Sequence, residues 1–78
     1  MSFKFLLSGD LLNARKARGW SQPVVANAVS ITLREYQNIE GGRCVPTAET
    51  FLKLVYLFEL DIQPYREAFE IHVPVSSI

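Results

Sequence analysis

Few side chains in this sequence have the chemistry of a catalyst. Cys44 is the only cysteine and His72 the only histidine, and they lie far apart in the chain. A thiol without a nearby histidine has no base to activate it. Glu67 and Glu70 are three residues apart but have no third partner for acid–base catalysis. No spacing of cysteine and histidine fits a metal site, and no glycine-rich loop follows a strand. We therefore predict that the protein is not an enzyme and needs no metal or cofactor.

The charges are divided unevenly along a chain whose formal net charge is zero. Residues 1–48 carry six lysines and arginines against three acidic residues, whereas residues 49–78 carry two against five. A basic first half suits a chain that binds a polyanion, such as nucleic acid, through that half. Arg18 and Lys16 are candidates to contribute positive charge for binding the phosphate backbone.

Size and hydropathy indicate a single domain, residues 1–78, in the cytoplasm. The hydrophobic content of 49% is enough to fill one core in 78 residues. The longest apolar run, residues 51–60, is too short to span a membrane and contains Lys53. Residues 1–10 lack the cleavage site of a signal peptide. One cysteine, which cannot form a disulfide within the chain, fits a reducing compartment.

Caps, breakers and apolar spacing predict five short helices. The predicted N-terminal caps are Ser8, Ser21, Thr32, Thr47 and Asp61. The first helix should end at Gly19, the second at about Ala28, the third at about Glu40 and the fifth near Phe69 or Glu70. In the first helix, Leu11, Leu12, Ala14 and Ala17 should face inward. The fourth helix should be central to the core, because it has a broad apolar face made of Phe51, Leu52, Leu54, Val55, Leu57 and Phe58.

The two terminal extensions, residues 1–7 and 71–78, are predicted to contain short extended segments. Phe3 and Phe5 alternate with polar residues, as do Ile71, Val73 and Val75, and Pro74 makes the second segment an edge strand. The two segments could pair with each other, or the last could pair with a second chain.

Residues 21–41 have the buried-residue pattern of two helices that cross at a steep angle. With Gln22 as the first position, a helix-turn-helix requires apolar residues at the fourth, eighth, tenth, fifteenth and eighteenth positions and a small fifth residue. All six requirements are met in one frame, by Val25, Val29, Ile31, Tyr36, Ile39 and Ala26.

In this frame the sequence resembles the Cro and phage-repressor (Xre-type) helix-turn-helix family. The run "ARKARGWSQPVVANAVSITLREYQNIEGGRCVP" has that family's Arg-Gly-x-Ser-Gln opening and its Ile-Glu-x-Gly closing. The run "TAETFLKLVYLFELDIQPY" is similar to its fourth helix and the start of its fifth. The similarity covers about residues 11–65 without a gap. It implies an all-α, five-helix repressor-like DNA-binding domain, with helices 2 and 3 as the helix-turn-helix.

The resemblance also implies base contacts from the third, or recognition, helix: Leu33, Arg34, Gln37 and Asn38. Arg34 can form two hydrogen bonds with a guanine, and Asn38 can pair with an adenine. Leu33 can pack on a thymine methyl group. Each of these side chains could alternatively belong to a solvated helix face.

Phosphate contacts are implied for Gln22, Thr32 and Arg43, the last supported by loop amides around Gly41 and Gly42. The family further implies an ion pair between Arg15 and Glu40. Such a pair would join the first helix to the end of the recognition helix, and it would fix geometry more than it adds stability.

Several positions depart from the family pattern. Ser30 stands where the family has its turn glycine, and a positive φ at this position would cost a serine about 1 kcal/mol. Ser30 therefore marks either a strained turn or an altered angle between the helices. Glu59 replaces a loop glycine, Pro23 and Val24 replace residues that are commonly acidic, and Tyr36 is bulkier than the usual aliphatic residue.

Two functions are compatible with these features. The first is a sequence-specific transcriptional regulator, a repressor that binds double-stranded DNA as a homodimer. The alternative is a protein-interaction module or antitoxin-type protein whose main partner is another protein. The dimer surface could lie on the fifth helix (Tyr65, Phe69) or on the tail (Ile71, Val73, Val75). Alternatively, these residues close the monomer core against Phe3 and Phe5.

Overall fold

A computed structural model describes residues 2–69 and contains five α-helices in this range. They are α1 (Phe3–Arg18), α2 (Gln22–Ala28), α3 (Leu33–Glu40), α4 (Ala48–Phe58) and α5 (Gln63–Ala68). Helix α1 packs against α3, α4 and α5, while α2 packs against α3. The described residues contain no strand, so the predicted all-α fold is confirmed for them. The extended segment predicted for residues 71–78 lies outside this range.

Helix α1 begins earlier than the sequence pattern predicts. Ser2 has an extended backbone, and its hydroxyl accepts a hydrogen bond from the amide of Phe5 at 3.4 Å. The extended segment predicted for residues 1–7 is therefore wrong for residues 3–7. Ser8 lies inside α1 and so does not cap it, and its hydroxyl donates to the carbonyl oxygen of Glu40. Tertiary packing decides the outcome: Leu7 and Leu11 repeat at four-residue spacing and are buried, whereas Phe5 is 68% exposed.

Most of the other helix ends lie where the sequence predicts them. Gly19 ends α1 in the left-handed conformation, with φ 68°. The hydroxyls of Ser21, Thr32 and Thr47 each accept a hydrogen bond from the backbone amide three residues later. For α5 the prediction is wrong by one residue, because Ile62 occupies the cap position and makes no side-chain cap bond.

One core connects the helices. Its buried apolar residues are Leu7, Leu11, Val25, Ala26, Val29, Tyr36, Ile39, Leu54, Phe58 and Tyr65. Five of the six residues in the predicted helix-turn-helix frame belong to this set, and the sixth, Ile31, packs against its edge. The predicted inward orientation is wrong for Leu12 and Ala17, which are exposed, and Leu52 of α4 is 54% exposed. In α1 and α4, the face that is buried by tertiary contacts is therefore narrower than the positions of the apolar residues suggest.

An aromatic cluster joins the start of α1 to α4 and α5. The ring of Phe3 lies 5.4 Å from that of Phe51, 5.7 Å from that of Tyr65 and 4.9 Å from that of Phe69. Tyr65 is buried, and its hydroxyl donates to Oδ2 of Asp10 at 2.7 Å. Burial and this hydrogen bond raise the pKa of Tyr65 above its ordinary value. Tyr65 therefore closes the monomer core, whereas Phe69 remains about half exposed.

Two residues other than glycine adopt a positive φ within the described range. Ser30 has φ 60° in the turn between α2 and α3, and Glu59 has φ 51° after α4. The amide of Ile31 donates to the carbonyl of Ala26 at 3.0 Å, which closes the α2–α3 turn around Ser30. Of the two alternatives raised by Ser30, the structure therefore contains the strained turn.

No helix among residues 2–69 combines the length and the apolar character that crossing a membrane would require.

Candidate nucleic-acid interface

Helix α3 has one buried face and one exposed face. Tyr36 and Ile39 are buried on the first. The second carries the four predicted base contacts: Leu33 is 40% exposed, Arg34 and Gln37 are exposed, and Asn38 is half-buried. Positions 33, 34, 37 and 38 are neighbours on a helix surface, so these side chains form one continuous strip.

The first turn of α3 is fixed by a capping box. The Thr32 hydroxyl accepts from the amide of Glu35 at 3.0 Å, and Glu35 Oε1 accepts from the amide of Thr32 at 3.1 Å. Both side chains are exposed. The predicted phosphate contact Thr32 therefore lies at the exposed start of the helix, where its hydroxyl already has a structural partner.

The carboxylate of Glu40 connects the first three helices. It is almost fully buried, at 6% exposure, and Oε1 lies 2.7 Å from Nε of Arg15 in α1. Gln22 Nε2 from α2 donates to its Oε2, and the hydroxyl of Tyr36 donates to Oε1 at 3.3 Å. Arg15 also donates to the carbonyl of Trp20 at 3.0 Å. A single buried charge therefore fixes α1, α2 and α3 relative to one another.

Two pKa shifts follow from this arrangement. The hydrogen bond to Glu40 raises the pKa of the Arg15 guanidinium, so this group stays protonated. Burial, together with the nearby negative charge of Glu40, raises the pKa of the Tyr36 hydroxyl well above its usual range. Tyr36 is the bulkier residue noted in the sequence, and it contributes a hydrogen-bond donor that an aliphatic residue would lack.

Gln22 connects this buried charge to the surface of α3. Its Nε2 faces Glu40, and its Oε1 accepts from Nε2 of Gln37 at 3.3 Å. The structure thus brings Gln22, a predicted phosphate contact, and Gln37, a predicted base contact, together at the start of α2. A concavity of about 370 Å³ lies beside them, lined by side chains that include Leu12, Arg15 and Arg43.

Arg43 lies across the C-terminal end of α3. Its Nε donates to Oδ1 of Asn38 at 3.1 Å, and its Nη2 donates to the carbonyl of Gln37 at 3.4 Å. A cation is favourable at this end of a helix because the last carbonyl groups carry partial negative charge. Residue spacing in the sequence does not predict this contact. Its only available signal was a glycine pair followed by arginine directly after the helix.

Arg18 is engaged elsewhere in the fold. Its guanidinium donates to the carbonyl of Phe58 at 3.0 Å and lies 5.6 Å from the centre of the Trp20 ring. This arrangement connects the end of α1 to α4. It argues against the phosphate role suggested for Arg18 by the charge distribution.

An apolar groove of about 630 Å³ lies between α4 and α5. Its lining includes Leu52, Tyr56, Ile62 and Phe69, which are 54%, 82%, 54% and 52% exposed. Tyr65 forms part of its floor from the core side. The predicted tail residues Ile71, Val73 and Val75 lie outside the described range.

Among residues 2–69 there is no group of three or more histidine, cysteine or acidic side chains that could hold a metal ion. Hydrogen bonds connect Gln22 to Glu40 and Gln37, and Arg43 to Asn38, while one ion pair joins Arg15 to Glu40. Thr32 bonds within its capping box, and Leu33 and Arg34 lie on the exposed strip of α3.

Comparison with known proteins identifies the architecture. A family model described as a helix-turn-helix domain matches residues 10–65, more than two thirds of the chain. The match covers the second half of α1, all of α2 to α4 and the start of α5. No curated protein and no solved structure matches the sequence. Membership of this family indicates a DNA-binding regulator, and on the strength of this match the chain belongs to the helix-turn-helix domain family.

Proposed function

We propose that this chain is a sequence-specific transcriptional regulator of the Cro and phage-repressor (Xre) type. In this proposal it is a repressor that binds double-stranded DNA as a homodimer and reads the major groove with α3. The observation that carries the proposal is the continuous exposed strip of α3 on a helix whose opposite face is fixed in the core. A major groove about 12 Å wide accepts one α-helix, and the strip is the part that would face the bases.

The strip offers three kinds of contact to base edges. Arg34 can donate two hydrogen bonds to guanine, and the amides of Gln37 and Asn38 can donate and accept. Leu33 can contact a thymine methyl group, which gives a reason for a leucine that is 40% exposed. Together these side chains would discriminate among a few adjacent base pairs.

Phosphate contacts would come from Gln22, Thr32 and Arg43, which lie around the strip. Gln22 is oriented by its bonds to Glu40 and Gln37, so its place relative to α3 is set before DNA binds. Preorganised contacts of this kind fix the register of the helix on the duplex without specifying bases.

One short helix reads few base pairs, and a homodimer would double the contact. Two copies of α3 about 34 Å apart would reach half-sites separated by one turn of DNA. The proposed dimer surface is the α4–α5 groove with its rim of Leu52, Tyr56, Ile62 and Phe69, which is apolar and unpartnered within the described residues. Tyr65 is not proposed as a contact, because it is buried in the monomer.

The test is selection of bound sequences from a random duplex pool, followed by affinity measurements at several salt concentrations. We expect a palindromic sequence and a steep loss of affinity with salt, of about −0.9 in the log–log slope for each phosphate neutralised. Arg34→Ala and Asn38→Ala should each remove the preference at one base pair. Loss of neither preference would show that the recognition-helix assignment is wrong.

The exposed apolar surface supports a second candidate, a module whose main partner is another protein. Val24 and Leu33 are 49% and 40% exposed, in addition to the α4–α5 groove. If the purified protein shows no salt-dependent binding to any duplex, including its own promoter, the DNA-binding proposal fails and this second function is favoured.

A further inference from the structure

We propose that Arg43 is a positioning residue that fixes the orientation of the Asn38 amide and thereby sets which bases Asn38 accepts. This inference rests on the proposed DNA-binding function. It gives Arg43 a second role besides the predicted phosphate contact. A pure phosphate contact adds affinity for every sequence equally, whereas a positioning residue changes the preference at one base pair.

The contact between the two residues involves both side chain and backbone. Arg43 Nε lies 3.1 Å from Asn38 Oδ1, and the amide of Arg43 donates to the carbonyl of Asn38 at 2.9 Å. The amide of Cys44 donates to the same carbonyl at 3.3 Å. The loop after α3 is thus folded back on Asn38, which holds the arginine stem close to this side chain.

Glycine at position 41 leaves the space that this arrangement needs. A Cβ atom there would lie 3.0 Å from Nη1 of Arg43 and 3.0 Å from the carbonyl oxygen of Gln37. Both distances are closer than ordinary carbon contacts. The guanidinium of Arg43 therefore occupies the space that a side chain at position 41 would need.

The chemistry of the pair determines which end of the amide faces outward. A guanidinium has five N–H donors and no acceptor, so the end of Asn38 that meets it must be the oxygen. The Nδ2 group, with its two donors, is then directed away from Arg43. Because a surface asparagine without such a neighbour can rotate its amide freely, Arg43 makes Asn38 a donor of fixed orientation.

A fixed donor distinguishes one base from the other three. In the major groove adenine offers N7, guanine offers N7 and O6, and thymine offers O4, all of which accept hydrogen bonds. Cytosine offers only the N4 donor. We therefore expect cytosine to be the disfavoured base on the strand that Asn38 faces, and we expect that penalty to depend on Arg43.

The experiment first locates the base pair that Asn38 reads, as the position whose preference disappears in Asn38→Ala during selection from a random duplex pool. Four duplexes that differ only at this pair are then titrated with the wild type, Arg43→Lys and Arg43→Ala. Lysine keeps the positive charge but places a methylene group where Nε–H lies. Lys53→Met, which removes an exposed cation from α4, serves as the control for a change in net charge.

We expect the wild type and Lys53→Met to bind the cytosine duplex roughly tenfold more weakly than the best duplex, in the usual range for one mismatched pair. In Arg43→Lys the difference should fall to about twofold, while the salt dependence stays near that of the wild type. Arg43→Ala should lose the same discrimination and also bind all duplexes more weakly. If both variants lower the affinity for all four duplexes by one common factor, the positioning role is overturned.

A measurement on the free protein tests the contact itself. The Nε–H proton of Arg43 should exchange with water more slowly in the wild type than in Asn38→Ala when followed by NMR. Equal exchange rates would overturn the inference while leaving the proposed function intact. Failure of the pool selection to return any bound duplex would instead overturn the proposed function and the inference together.

Discussion

Replacing Arg15 with methionine should destabilise the protein strongly, because it leaves the charge of Glu40 buried without its cation. Glu40 Oε1 lies 2.7 Å from Arg15 Nε, and the two side chains are 5% and 15% exposed. Removing one partner of a buried pair costs about 3–5 kcal/mol. We expect the lower end, about 3 kcal/mol, because Gln22 and Tyr36 still donate to the carboxylate. Methionine keeps most of the stem of arginine, so the lost interaction is chiefly electrostatic.

Thermal unfolding followed by circular dichroism measures this loss. For a domain of this size, about 3 kcal/mol corresponds to a fall in Tm of about 12 °C or more. The double variant Arg15→Met/Glu40→Gln removes the buried charge and keeps one carbonyl oxygen, which can accept from the Tyr36 hydroxyl. It should therefore be more stable than Arg15→Met alone.

Lys53→Met is the matched control for a surface ion pair. Lys53 lies 3.4 Å from Glu49, and the two side chains are 43% and 80% exposed. Its loss should change the free energy of unfolding by no more than about 0.5 kcal/mol. The reasoning is refuted if Arg15→Met melts together with the wild type, or if the double variant is no more stable than the single one.

Two further predictions concern the strained turn and the buried tyrosines. Ser30→Gly should raise the free energy of unfolding by up to about 1 kcal/mol in urea titrations, because φ 60° strains a residue that has a Cβ atom. Ser30→Ala should not raise the free energy of unfolding. A lower urea midpoint for Ser30→Gly than for the wild type would contradict the strain at this position. Above pH 10 the protein should lose stability, because the raised pKa values of Tyr36 and Tyr65 keep both protonated in the native state after the unfolded chain begins to ionise. The stabilisation from these two pKa shifts is fully present below pH 10, and above it the free energy of unfolding declines by at most about 1.4 kcal/mol per pH unit for each tyrosine. Tyr65→Phe should show a shallower decline with pH. Equal slopes for this variant and the wild type would contradict the argument that burial raises the pKa of Tyr65.

The helix-turn-helix could be predicted from sequence because its contacts are local and its positions are few. Val25, Val29 and Tyr36 must all be apolar in one frame, and the hydroxyls at Ser21 and Thr32 mark where each helix begins. Each of these signals depends on residues that are close in the chain. The prediction therefore needed no knowledge of how α2 and α3 meet the rest of the protein.

The start of α1 could not be predicted in the same way. Ser2 and Ser8 are both good caps, and the alternation of Phe3 and Phe5 resembles a strand. What decides between them is contact with distant residues, namely the carbonyl of Glu40 for Ser8 and the ring of Phe51 for Phe3. Spacing within one segment carries no information about such partners.

The contacts that orient the exposed strip were also beyond sequence reasoning. Arg43 reaches Asn38 only because the loop turns back at Gly42, which has φ 73°. Arg18 reaches the carbonyl of Phe58, which is 40 residues away in the chain. Residue types identified both arginines as cations, but the path of the backbone determines what each cation contacts.

The packing of Trp20 gives the protein a convenient optical probe. It is the one tryptophan in the sequence, and its ring lies 5.8 Å from that of Phe58 in α4, with the guanidinium of Arg18 nearby. Fluorescence excited selectively in the indole band would come from this single ring. Because these partners belong to the α1–α4 contact and not to the exposed strip of α3, its emission follows the integrity of the fold. Loss of folding and loss of binding can therefore be told apart within one titration.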